Sequence, residues 1–280
     1  MADAGADDAG NVEGTESARG PQVRGRRPEH GEPVLDRAFR ILSCFGPATA
    51  SLPLTSLAAR ASLPKATASR LAHKLVELGA LERAESGDYV IGLRLLEVAS
   101  LAPRGHGLRE TALPFMEDLH HATGQHVLLA VRDGHEAVLV ERLSARGAGR
   151  VMYRVGGRMP LHSTGVGLAL LAHAPADVQE EIAAGDLVQL PESIRISAHD
   201  LRTRLAGVRR DGVAIVSRPQ PEPMTSVAAA IVDRHRAVVG AISVVTRSAK
   251  IEAAILTPAV IAVARSISRG VSGPGGLVAQ

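Results

Sequence analysis

Two runs of helical periodicity separated by a tight turn constrain this chain more than any other feature. Residues 54–71 read Leu-Thr-Ser-Leu-Ala-Ala-Arg-Ala-Ser-Leu-Pro-Lys-Ala-Thr-Ala-Ser-Arg-Leu, which sets Leu57, Ala58 and Ala61 on one face of a short helix. A second helix begins near Pro64, whose missing N–H and fixed φ suit a first turn, and runs to about Leu78, where Gly79 stops it. Thr55 stands where the shorter helix would be capped, and Ser62 holds the turn position at which glycine is commoner. Leu71, Leu75 and Leu78 make the inward face of the longer helix and leave Lys65, Ala66, Thr67, Ser69, Arg70, His73 and Lys74 outward. Residues 81–84 and 89–91 then flank Glu85-Ser86-Gly87-Asp88 as a hairpin. Helix, turn, helix and hairpin in this order are the parts of a winged helix-turn-helix, and double-stranded DNA is the partner such a unit implies.

At 280 residues the chain has room for two domains, each with its own core. Hydrophobic residues make up 45% but aromatics only 2%, with no Trp, so those cores are built from Ala, Val, Leu and Ile. The net charge of +3 hides a local asymmetry: residues 1–18 carry Asp3, Asp7, Asp8, Glu13 and Glu16, whereas 19–28 carry Arg19, Arg24, Arg26 and Arg27. Without periodicity, residues 1–32 read as a disordered arm, acidic and then basic. Arg24-Gly25-Arg26-Arg27-Pro28 looks like the core of an AT-hook, in which arginines lie along a narrow minor groove; the alternative is a solvated linker with incidental charge. A lone Cys44 excludes an internal disulfide and sits on the apolar side of a predicted helix as a core thiol. No basic stretch followed by an apolar run opens the chain, and no segment reaches the roughly 18 apolar residues of a membrane span, so a cytoplasmic protein without a membrane partner is expected.

Val34, Leu35, Ala38, Ile41, Leu42 and Phe45 predict a first amphipathic helix, a core or dimer contact, ended by Gly46-Pro47. Residues 33–92 then form the DNA-binding domain. Residues 93–107 are a linker helix and hinge, 108–270 a second domain, and 271–280 a flexible tail. The second domain opens on a helix over 108–123, followed by strands over 126–131 and 137–143 and a third over 150–155. Helices follow over 167–173, 176–184 and 198–210, the last opened by a capping box of Ser197 and Asp200. Strands over 213–217 and 227–232, a turn at 233–236, a long strand over 238–246 and a helix to Ser268 complete it. Strands and helices mix without strict βαβ order, so the fold class is α+β.

Five motifs, in order and spacing, carry a family resemblance. They are Leu-Pro-Lys-Ala-Thr at 63–67, Leu-Val-Glu-Leu-Gly at 75–79, Val-Gly-Gly-Arg-Met-Pro-Leu-His at 155–162, Gly-Val-Gly-Leu-Ala-Leu-Leu-Ala at 165–172 and Val-Arg-Arg-Asp-Gly at 208–212. Over residues 34–270 the chain resembles the IclR family of bacterial transcription regulators. The resemblance implies an N-terminal winged helix-turn-helix, a helical linker and a C-terminal effector domain with a GAF-like antiparallel sheet flanked by helices. It implies homodimers or homotetramers on a palindromic operator, repression more than activation, a small-molecule effector, no cofactor and no enzymatic activity.

The candidate DNA contacts are Lys65, Thr67, Ser69, Arg70 and Lys74, because short polar or charged side chains near a helix start reach base edges and phosphates. Arg70 is the base reader, since a guanidinium pairs bidentately with guanine; a solvated helix face is the alternative. Arg24, Arg26 and Arg27 are the candidate minor-groove arm. In the effector half, the loop over 163–167 opens into an apolar helix whose free N–H groups suit a carboxylate, or is a structural glycine turn. By motif position the resemblance gives Gly165 and Val166 as backbone contacts, with Ser226 and Ser243 beside them. It also implies an acidic run where this chain reads Ile215-Val216-Ser217-Arg218-Pro219-Gln220-Pro221-Glu222-Pro223, so Val216 or Ser217 replaces an acid and Arg218 supplies the opposite charge. With Val245 and Leu168 also at positions more often polar, the expected effector is an organic acid larger or less hydrophilic than a two-carbon acid. Two other functions stay open: an effector domain that only oligomerises, and a small-molecule enzyme with an accessory DNA-binding domain in which His162-Ser163 supplies a nucleophile. His120, His121 and His126 are either metal ligands or ordinary surface and core residues.

Overall fold

Two units, Met1–Gly92 and Leu93–Gln280, divide the computed structural model, which describes residues 32–46, 48–102, 106–189, 194–219, 222–247 and 253–273. The first holds α1 (Val34–Leu42), β1 (Ser51–Leu52), α2 (Leu54–Arg60), α3 (Lys65–Glu77), β2 (Leu81–Arg83) and β3 (Tyr89–Ile91), the strands forming a sheet in the order β1-β3-β2. Leu57, Ala58 and Ala61 are buried with Ala68, Leu71, Ala72 and Leu75, and the alanines let α2 and α3 approach closely. Ser62 adopts the left-handed conformation at φ 51°, and its N–H donates to the Ala59 carbonyl at 3.1 Å.

The helix ends differ from expectation. Pro53 and Pro64 occupy the N-cap positions, so Thr55 falls inside α2 and α3 begins at Lys65; neither helix has a side-chain cap. Leu78 lies just past α3 and is exposed, because alanines at 68 and 72 already complete the inward face. Helix α1 stops at Leu42, where Cys44 N–H turns back to the Ile41 carbonyl. Cys44 therefore lies beyond the helix, its thiol donating to the Arg40 carbonyl at 3.2 Å, and burial pushes its pKa up. Pro47, the arm residues Arg24, Arg26 and Arg27, and residues 274–280 of the tail lie outside the described residues, while Val271, the first residue expected in the tail, closes the last helix.

The second unit contains α4 (Leu93–Ser100), α5 (His106–Thr123), β4 (His126–Asp133), β5 (Glu136–Leu143), β6 (Arg158–Pro160), α6 (Gly165–Leu171) and α7 (Ala176–Ala184). It continues with β7 (Val188–Gln189), β8 (Ile194–Arg195), α8 (Ala198–Asp211), β9 (Ala214–Arg218), β10 (Met224–Val232), β11 (Val238–Arg247) and α9 (Ala253–Val271). Six strands form one antiparallel sheet in the order β6-β5-β4-β11-β10-β9, and β7 pairs with β8 alone. Period-two alternation splits the sheet's side chains between two cores. Leu128, Leu139, Ala228 and Ala241 meet α6 and α8 on one face. Val127, Leu129, Val227, Ile242 and Val244 meet α5 and α9 on the other. Helix α9 has the length and apolar composition of a membrane span, which the sequence reading did not register; Leu256, Val260, Ala264, Ile267 and Val271 bury one face of it in the second core. The capping box at α8 is complete, with Ser197 Oγ accepting from Asp200 N and the Asp200 carboxylate accepting from Ser197 N.

The strand expected over 150–155 is absent. Its alternation is real, with Val151 and Tyr153 packed inward, but its backbone bonds to side chains: Arg142 donates to the Tyr153 carbonyl at 2.7 Å. Sheet pairing resumes only at β6, after Gly156 N–H donates to the Leu139 carbonyl.

Gly92 ends the hairpin against the end of α3, its N–H donating to the Ala80 carbonyl at 3.0 Å; a Cβ there would stand 2.1 Å from the Gly79 carbonyl oxygen. Because the obstacle is backbone, Gly92→Ala should destabilise the first unit by about 1–3 kcal/mol. Urea denaturation followed by circular dichroism should show an earlier transition for that unit.

Candidate DNA interface and effector cavity

Helix α3 sorts its residues by burial. Lys65, Ala66, Arg70, His73 and Lys74 are exposed, while Thr67 and Ser69 are half-buried at the edges of that face. Neither Lys65 nor Arg70 has an ion-pair partner among the described residues. Lys74 bonds Glu77 at 2.6 Å, and His73 approaches the same carboxylate at 3.3 Å. The Lys74 hydrogen bond and charge, with His73, hold Glu77 below the usual carboxylate range. Such an exposed pair is weak, so Lys74 can exchange its carboxylate for a phosphate. His73, outside the sequence-derived contact set, sits between Arg70 and Glu77 and extends the exposed face. The hairpin adds little cationic surface. Glu82, Glu85 and Asp88 outnumber Arg83, whose guanidinium lies 4.6 Å over the Tyr89 ring and donates to its hydroxyl at 2.6 Å.

In the second unit, α6 starts hard against β10. A Cβ on Gly165 would stand 2.3 Å from Ser226 Oγ, so only glycine allows this approach. Thr164, not Ser163, caps the helix: its Oγ1 accepts from Gly167 N at 3.1 Å and donates to the Pro160 carbonyl at 2.8 Å. Between α6, the sheet and the 150–153 segment lies a cleft of about 620 Å³, counting its open mouth. Leu128, Val151, Met159, Val216, Met224 and Val245 make its apolar walls; Gly165 and Val166 close one side, Ser226 and Ser243 rise from the sheet, and Arg150 and Arg218 stand at the mouth.

Of the sequence-derived effector residues, Gly165, Val166, Val216, Ser226 and Ser243 are thus gathered around one cleft. Ser217 is not. One step along β9 from Val216, it points to the other face, where its Oγ meets Thr225 Oγ1 at 3.1 Å. Leu168 is buried in the core away from the cleft. Sequence reasoning missed Arg150, Met152 and Tyr153, whose segment it read as a strand, and noted Arg218 for its charge without making it a wall. Burial pushes the Tyr153 phenol up, while the nearby Arg218 guanidinium pulls it down. Ser243 is 1% exposed and its Oγ has no hydrogen-bond partner among the described residues.

His126 pins the cleft's outer segment. Nδ1 accepts from Ala145 N–H at 3.1 Å, which leaves Nε2 to donate to the Gly149 carbonyl at 2.8 Å. Burial first, then the charges of Arg142 and His120, hold its pKa low, while the Gly149 bond opposes them. His120 bonds the Gln125 carbonyl through Nδ1, and no cluster of His, Cys, Asp and Glu suited to a metal occurs among the described residues.

Two outcomes follow. An unpaired buried hydroxyl costs about 1–3 kcal/mol, so Ser243→Ala should leave the ligand-free protein as stable as wild type or more so, read as melting temperature. His126 has a depressed pKa when folded, so its contribution to stability is complete above about 6.5, the unfolded value. That contribution is lost as pH falls towards the lower folded value. Melting temperature should therefore drop more steeply from pH 7 to 5 in wild type than in His126→Gln.

Comparison with known proteins follows the same division. Residues 34–85 match the IclR helix-turn-helix domain, and residues 102–269 match the bacterial transcriptional regulator IclR C-terminal domain. The HTH-type transcriptional regulator XynR of Escherichia coli is 26% identical over 79% of this chain and 89% of its own length. The transcriptional repressor IclR of the same organism is 27% identical over 80% and 86%. Among solved structures, an IclR homologue of Microbacterium hydrocarbonoxydans complexed with 4-hydroxybenzoate is 30% identical, with a TM-score of 0.78 over 85% of this chain and 98% of that one.

Proposed function

From a chain that belongs to the IclR family of bacterial transcriptional regulators, with a DNA-binding helix-turn-helix and a C-terminal ligand-binding domain, we infer a repressor controlled by a small organic acid. It is a regulator and not an enzyme. One observation carries the ligand reading: Ser243 holds a buried hydroxyl without a partner against a cleft, an arrangement that a ligand completes and a purely oligomerising domain has no use for. The apolar walls, and the 4-hydroxybenzoate held by a relative of 30% identity, support an acid of aromatic size.

In this reading Gly165, Val166, Val216, Ser226 and Ser243 touch the effector. Lys65, Thr67, Ser69, Arg70 and Lys74 touch a palindromic operator in the cytoplasm, with Arg24, Arg26 and Arg27 following the minor groove. Residues 33–92 are the DNA-binding domain and 108–270 the effector domain, joined by 93–107. Val34, Leu35 and Phe39 on α1 stand exposed, as do Leu93, Leu96 and Val98 on α4. Large apolar side chains in solvent on both helices support a homodimer or homotetramer whose symmetry matches the palindrome. The effector then alters how two DNA-binding domains of an assembly fit their half-sites.

Selection of bound fragments from genomic DNA should recover a palindrome with the wild-type protein. Arg70→Ala should lose about 1–3 kcal/mol and relax that preference. Salt-sensitive binding with no enriched sequence would reduce the protein to a non-specific DNA binder. For the ligand, thermal shift with benzoate, 4-hydroxybenzoate and uncharged methyl 4-hydroxybenzoate should find stabilisation; none from any of them would favour the oligomerising domain.

A further inference from the structure

Resting on the DNA-binding reading above, we propose that the exposed cationic face of α3 holds the chain's own acidic segment, residues 1–18, while DNA is absent. DNA must displace that segment to bind.

The acidic block has no role among the operator contacts. Asp3, Asp7, Asp8, Glu13 and Glu16 stand in a stretch without one Lys, Arg or His, directly before the arginines of the arm. Phosphates repel such a block, and so does the hairpin with Glu82, Glu85 and Asp88. A carboxylate-rich segment on a DNA-binding unit weakens the attraction for DNA, and it needs a cationic surface to rest on.

The α3 face is that surface. Lys65 and Arg70 are exposed and have no ion-pair partner among the described residues, and Lys74 holds Glu77 only through an exposed pair. The other cations of this unit are engaged or dispersed. Arg40 pairs with Glu32, Arg83 lies against Tyr89, and Arg37 and Arg60 stand on α1 and α2. Lys65, Arg70 and Lys74 share one helix face, with Lys65 and Lys74 about 14 Å apart along the axis. Asp3 and Asp8 are about 17 Å apart in an extended chain, so three acids of the block can meet three cations of the helix.

Reach is ample. Residues 1–31 lie outside the described residues, and the Glu32–Arg40 pair joins the chain to this unit beside α1. Residues 19–33 extend to at most about 50 Å. A folded unit of about 60 residues has a radius of gyration of about 10 Å, so every part of its surface is accessible to residues 1–18. The tether sets an effective concentration of order millimolar, which lets a few individually weak ion pairs compete with DNA.

The two charge blocks of the arm then exchange places. Without DNA the acids occupy α3. On DNA, phosphates take Lys65, Arg70 and Lys74, the acids are expelled, and Arg24, Arg26 and Arg27 follow the duplex. The device raises the demand for a well-matched site, since each binding event begins by removing a competitor.

Lysine is scarce enough to make the test direct: the chain has three, Lys65, Lys74 and Lys250. Carbodiimide, which joins a carboxylate to an amine, is applied to the full-length protein and the products are mapped by mass spectrometry. Lys65 and Lys74 should be linked to Asp3, Asp7, Asp8, Glu13 or Glu16 far more than Lys250 is, and a genomic DNA fragment should suppress those links. Links spread equally over Lys250, none at Lys65, or links that DNA leaves unchanged would overturn the proposal. In parallel, a variant carrying Asp3→Asn, Asp7→Asn, Asp8→Asn, Glu13→Gln and Glu16→Gln should bind the fragment about three- to tenfold more tightly at about 0.1 M salt, with the gain fading as salt rises. The same five changes should give a smaller factor in a Lys65→Gln background. An equal factor in both backgrounds would mean that net charge acts at a distance, without docking. If neither wild type nor the variant binds DNA, the DNA-binding reading itself fails; if both bind equally, that reading stands and only this proposal fails.

Discussion

The register of β10 between β9 and β11 decides what the effector half can be. Met224, Ser226 and Ala228 face α6, while Val227, Ala229 and Ile231 face α5 and α9. A slip of one residue would exchange the two sets, bringing Val227 where Ser226 lies beside Gly165 and filling the cleft from the sheet side. The same slip would put hydroxyls into the core under α9. Two hydrophobic faces of one sheet therefore hold each other in register, and the cleft exists because both cores are satisfied by one pairing.

Much of this was legible in the sequence because its signals are local. The α2–α3 pair is written in the spacing of Leu57, Ala58, Ala61, Leu71 and Leu75, and the turn in Ser62 and Pro64. The capping box of Ser197 and Asp200 lies within four residues. Ser226, Ser243, Gly165 and Val166 were reached through motif position, and the cleft gathers them although strand and helix lie far apart in the chain.

What escaped the sequence depends on partners that a local pattern does not reveal. Val151 and Tyr153 alternate with Arg150 and Met152 as they would in a strand, but alternation is blind to whether backbone groups meet another strand or, as at Tyr153, the Arg142 side chain. The choice between Val216 and Ser217 as wall residue needed the register with Ser226. Gly92 gave no sign of its constraint, because its obstacle is the backbone of Gly79 across the hairpin. Leu78 looked inward because its spacing from Leu71 and Leu75 is helical, yet the helix ends before it.

The scarcity of aromatic residues has a use of its own. The chain contains two tyrosines and no tryptophan. Tyr89 lies in the hairpin of the first unit beneath Arg83, and Tyr153 lines the cleft of the second beside Arg218. Each unit thus carries a single tyrosine next to a guanidinium, one in the DNA-binding unit and one at the cleft where a small molecule is proposed to arrive. Removing either ring leaves the light of the other, and the two halves of the protein can be watched separately without a label.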